Sequence, residues 1–124
     1  MRISHAAFEQ SVENAITRLP ENFREIMTNL VVLIEERPAA DLLDEMGIPP
    51  DETLFGLYTG VPLPERSVTE PPLYPDEIVI FREPLLEACR SIEDLEEEIE
   101  ITVVHEVAHY LGIDDERLAE LGYG

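Results

Sequence analysis

The sequence predicts a single domain that mixes helices with a few short strands. Three observations carry this. Apolar runs at 29–34, 54–58 and 78–81 are too short for buried helices and rich in residues that favour strands. Around them, apolar residues recur at helical spacing, most extensively over 92–111. At 124 residues the chain has the length for one modest core, and neither a repeat nor a second domain is visible.

Each element can be justified in order. Ser4 is placed to cap a first helix over roughly 5–18, whose apolar stripe is Ala7, Phe8, Val12, Ala15, Ile16 and Leu19. His5, in its first turn, reads as a solvated or capping residue. Pro20 ends that helix and opens a short second one over 21–27. Asn29 to Ile34 reads as a central strand, buried on both faces. Pro38 begins a short helix running to Asp44 or Met46 that Gly47 closes. Leu54 to Tyr58 is a second strand, ending at Gly60. Residues 61–76 hold Pro62, Pro64, Pro71, Pro72 and Pro75 and read as an extended loop. Ile78 to Phe81 is a third strand, expected at a sheet edge over 77–82. A short helix around 83–90 follows, beginning near Pro84. Ser91-Ile92-Glu93-Asp94 resembles a capping box and starts a long helix over 92–111. A last helix, about 114–121, closes the chain.

Charge restricts the partners. The 28 acidic residues face only eight basic ones, for a net charge of −20, and every basic residue is Arg. This argues against nucleic acid or an anionic membrane as a partner and favours neutral or cationic ligands. No stretch approaches the ~20 apolar residues of a membrane helix, and the N-terminus has no signal-peptide run. A cytoplasmic protein is expected. The lone cysteine, Cys89, reads as a small core residue, since no flanking His or basic group would activate its thiol.

The chemistry concentrates at His105-Glu106-Val107-Ala108-His109-Tyr110-Leu111-Gly112-Ile113-Asp114-Asp115, which reads H-E-x-x-H-x-x-G-x-x-D. At about 100° per residue, His105 and His109 lie about 40° apart on one side of the helix and can grip one zinc ion. Ile92, Ile99, Val103, Val107, Tyr110 and Leu111 fall on the other side. Upstream on the His side come Asp94, Glu98, Ile101 and Thr102, a mixed surface suited to a cleft wall. Glu106 stands where a general base would act on a metal-bound water. Gly112 lets the helix turn, and Asp115 follows at third-ligand spacing. Asp114 is the alternative ligand, although Asp there also suits the N-cap of the next helix. Candidate donors to an oxyanion are Tyr58, Tyr74, Tyr123 and Arg66.

These residues, with the looser Gly56-Leu57-Tyr58-Thr59-Gly60, Ile78-Val79-Ile80-Phe81-Arg82 and Gly122, resemble the minimal zincin-like metallopeptidases of bacteria. The resemblance extends over nearly the whole of residues 1–124. It implies an α+β zincin-like fold, with a short mixed sheet of about three strands packed against helices that include the H-E-x-x-H helix. It implies zinc held by His105, His109 and Asp115, with Glu106 as the base, and a peptide or protein substrate. The chain departs from metzincins, because no Met follows the motif. A second reading of the same residues is a metal-binding domain without turnover that acts as a sensor or partner-binding module.

Overall fold

The computed structural model describes residues 1–49, 52–65 and 76–120. The chain runs through helix α1 (His5–Thr17), helix α2 (Glu21–Met27), strand β1 (Val31–Glu35), helix α3 (Ala40–Glu45) and strand β2 (Gly56–Thr59). A short 3-10 turn (Leu63–Glu65), strand β3 (Glu77–Phe81) and helices α4 (Arg82–Ala88), α5 (Ile92–Leu111) and α6 (Asp115–Glu120) follow. The architecture is α+β, a three-stranded mixed sheet with the long α5 packed beside it.

Local chemistry accounts for the helix starts. The Ser4 hydroxyl accepts the Ala7 N–H at 3.0 Å, satisfying a donor that the first turn of α1 leaves free. Ser91 does the same for Asp94 at 3.1 Å at the head of α5. Asp94 also places negative charge at the positive end of the helix dipole.

The sheet order is β1-β3-β2, with β1 parallel and β2 antiparallel to β3. Two expectations are thereby exchanged. The 29–34 run is an edge strand, not a central one. Val31 and Leu33 on its outer face are 41% and 39% exposed. The 77–82 segment, expected at an edge, is the centre. Ile78, Val79, Ile80 and Phe81 are all buried, and alternation along the strand puts two of them on each face of the sheet. The sheet edge nearest the motif helix therefore belongs to β2.

Helix α5 is the axis of the core. Its Leu95, Ile99, Val103 and Val107 recur every fourth residue and are fully buried. They form one apolar cluster with Phe8, Val12, Ala15 and Leu19 of α1. Each such side chain contributes roughly 1.5–3 kcal/mol on burial. Ile92, assigned above to the same stripe, lies at the start of α5 and is 43% exposed. One carboxylate sits inside the α1–α5 contact. Glu96 is buried, but Arg18 Nη1 pairs with it at 3.1 Å and Asn14 Nδ2 donates to it at 3.0 Å. No described helix is long and apolar enough to cross a membrane.

Candidate metal centre

The motif helix ends by a specific device. Gly112 adopts φ +77°, a left-handed conformation that side chains disfavour. Its N–H returns to the His109 carbonyl at 3.0 Å, and the Ile113 N–H reaches the Ala108 carbonyl at 2.8 Å. This pair of bonds is a Schellman motif, and half-buried Ile113 packs on the core behind it. Glycine is required there on a second count, because a Cβ would lie 2.5 Å from Cγ of Pro64. The chain then reverses into α6, which buried Leu118 fastens to the core.

That turn brings Asp115 back to the two histidines. Its Oδ1 lies 3.2 Å from His105 Nε2 and 3.7 Å from His109 Nε2. The imidazole rings meet edge to face with centroids 4.7 Å apart. The three ligating atoms all lie within 4.8 Å of one another, so the group could hold a metal ion. Tetrahedral zinc with ~2.0–2.1 Å bonds places neighbouring ligand atoms roughly 3.3 Å apart, close to the two distances to Asp115. Two imidazoles and one carboxylate also match the donor chemistry of that ion. Asp114, the alternative ligand, is otherwise engaged. Its Oδ1 accepts the Arg117 N–H at 2.8 Å and so caps α6.

Glu106 lies on the inward flank of the pair, 6% exposed. Its Oε1 accepts the backbone N–H of Tyr58 in β2 at 2.7 Å. The same oxygen is 3.2 Å from His109 Nδ1. A proton on Nδ1 would complete that bond and leave Nε2 as the free lone pair facing Asp115. Strand β2 approaches this closely because Gly56 has no side chain: a Cβ there would stand 2.5 Å from Thr102 Cγ2. Thr102, expected on a cleft wall, does line a cleft, but it is largely buried against β2 together with Glu106. Beside them runs an open cleft of about 240 Å³, lined by Glu98, Ile101 and His105 among others.

The remaining candidates separate. Tyr58 donates its hydroxyl to buried Asp76 at 2.7 Å, and its ring meets Tyr110 edge to face at 5.7 Å. It braces β2 instead of presenting a free donor. Arg66, Tyr74 and Tyr123 lie outside the described residues, as do most of the Pro-rich loop and Gly122. His5, expected to be a solvated or capping residue, is 70% exposed in its side chain and pairs with Glu36 at 2.7 Å. Cys89 is buried, and that burial, helped by the Glu98 and Asp94 carboxylates, pushes its thiol up and keeps it protonated.

Sequence reasoning missed the backbone hydrogen bond from Tyr58 and the Gly56–Thr102 approach, both long-range contacts. The only signal for either was Gly56 inside a strand pattern, which marks close approach of another backbone or helix.

Comparison with known proteins gives the family. The sequence model of the zincin-like metallopeptidases matches residues 27–124. No curated protein matches the chain. Among solved structures, a conserved hypothetical protein from Thermo thermophilus is similar, with a TM-score of 0.55 and 24% identity over 95% of this chain and 99% of that one. That likeness concerns the fold alone. The family match spans both the sheet and the whole motif, and the chain belongs to the zincin-like metallopeptidases.

Proposed function

We propose that this chain is a zinc-dependent peptidase, in which His105, His109 and Asp115 hold the metal and Glu106 is the general base. The observation that carries the reading is the convergence of those three side chains within 4.8 Å at one end of a cleft that Glu106 also lines. When bound, zinc supplies Lewis acidity, lowering the pKa of a water toward ~7 and polarising a carbonyl. The protein's own part is positioning and proton transfer. The Tyr58 N–H fixes Oε1 of Glu106, so Oε2 is the oxygen that takes the proton from water and delivers it to the leaving amine. β2 is the edge strand beside the motif helix and replaces the edge first expected at 77–82 as the place where an extended peptide would lie, with its Tyr58 N–H already given to Glu106. The net charge of −20 disfavours nucleic acid as a substrate.

A second reading is favoured by one feature: Oε1 of Glu106 already serves Tyr58 and faces His109, as in a carboxylate that orients a metal ligand. Under it, the site binds metal without turnover. Peptide hydrolysis by zinc-loaded wild type and Glu106→Gln separates the two. The peptidase reading expects activity in the wild type, lost by a factor of at least about 100 in the variant, while zinc uptake stays equal. Stoichiometric zinc uptake without cleavage by the wild type would establish the second reading.

A further inference from the structure

The cleft beside the metal ligands has a surface that proton transfer does not use. Leu54 and Phe55 line it on the β2 side, Glu98 and Ile101 on the α5 side, with His105 and Glu106 at one end. Its walls away from that end combine apolar Leu54, Phe55 and Ile101 with Gly56, Thr53 and Thr102, and Glu98 is the one charge among them. Seven residues separate Glu98 from His105, which puts it about 20° off the same bearing and roughly 10 Å further down the helix. That is near the reach of an extended Lys or Arg whose backbone lies at the metal ligands.

Glu98 is half-buried and makes no hydrogen bond or ion pair among the described residues. Its neighbours on the other flank differ, since Arg18 pairs with both Glu96 and Glu100. No described Arg lines the cleft, and the chain has no Lys. An uncompensated carboxylate beyond partly apolar walls selects for a cation on an apolar stem.

We infer that this cleft is a specificity pocket for a basic side chain of the substrate. Leu54, Phe55 and Ile101 flank the methylenes, and Glu98 pairs with the ammonium or guanidinium. An acidic side chain at the same position is repelled by Glu98 at short range and by the net charge of −20 at longer range.

The inference rests on the peptide reading above for what enters the cleft, so its test measures binding apart from turnover. Alanine-based peptides carrying a single Lys, Arg, norleucine or Glu are titrated calorimetrically into zinc-loaded Glu106→Gln protein and also offered to wild type as substrates. The Lys and Arg peptides should bind about tenfold more tightly than the norleucine peptide, and the Glu peptide most weakly. Adding Glu98→Gln should remove the difference, and adding Glu98→Arg should turn the preference toward Glu, with thermal midpoints unchanged. Basic preference without cleavage by wild type would uphold the pocket and overturn the peptidase reading. Cleavage without basic preference, a preference that survives Glu98→Gln, or no binding of any peptide would overturn the pocket.

Discussion

Replacing Gly56 with Ala inserts one methyl group between β2 and the motif helix. The new Cβ would stand 2.5 Å from Thr102 Cγ2 and 3.1 Å from the Val79 carbonyl oxygen. Carbon atoms in contact settle at about 3.5–4.0 Å, so the strand and helix must part by roughly 1 Å. Thr102 cannot easily turn aside, because a β-branched side chain in a helix has few χ1 rotamers. A parting of that size stretches the 2.7 Å bond from Tyr58 N to Glu106 Oε1 beyond hydrogen-bonding range. Overpacking costs about 1–3 kcal/mol. Leaving a buried carboxylate short of a donor adds about 1–3 kcal/mol. The expected loss for Gly56→Ala is therefore roughly 2–6 kcal/mol by denaturant unfolding. Peptide hydrolysis should fall with it as Glu106 loses its orientation. Thr102→Ser deletes the obstructing methyl and should rescue the variant, with a coupling of at least about 1 kcal/mol in the double-mutant cycle. A Gly56→Ala protein as stable as wild type, or a Thr102→Ser change that restores nothing, would refute the proposed strand–helix contact.

Two further outcomes follow from the same geometry. Asp115→Ala should weaken zinc binding by at least about 100-fold, while Asp114→Ala should cost about 1 kcal/mol of stability as a lost helix cap and leave binding within a few-fold; calorimetry with zinc and thermal melts of the metal-free proteins separate the two, and exchanged effects would reverse the assignment. Acid stability offers a second check. The Glu36 carboxyl is held below its ordinary value, first by the His5 hydrogen bond, against some desolvation, and then by the charge of Arg82. A folded-state pKa lowered in this way stabilises the protein above the unfolded value near 4.5 and loses that stabilisation as pH falls through the folded value. Melting midpoints measured from pH 7 down to about 3 should drop less for Glu36→Gln than for wild type; parallel curves would show that the pair contributes nothing.

What could be read from the sequence was what is local along the chain. The limits of α5 and its Ser91 cap rest on spacings within a turn or two, and so does the turn at Gly112 that carries Asp115 back. Strand positions were legible for the same reason, but their order was not. An apolar run such as 30–34 shows that a strand can be buried, not which neighbours bury it, and pairing to β3 leaves Val31 and Leu33 facing outward. The helical wheel likewise showed one apolar stripe on α5. It could not show that β2 would cover part of the other side, because Gly56 and Thr102 stand 46 positions apart in the chain. The burial of Glu106 depends on that cover. So does its hydrogen bond to Tyr58.

The Schellman turn at Gly112 also has a consequence for how the protein matures. It keeps all three proposed ligands within one stretch, His105 to Asp115, so little loop-closure entropy stands against assembling them. The bond that orients Glu106 instead spans 48 positions and exists only once β2 has docked. If these residues hold zinc as proposed, a nascent or partly folded chain would take up the ion before Glu106 is oriented, and metal content alone would report the state of one helical corner, not the readiness of the whole molecule.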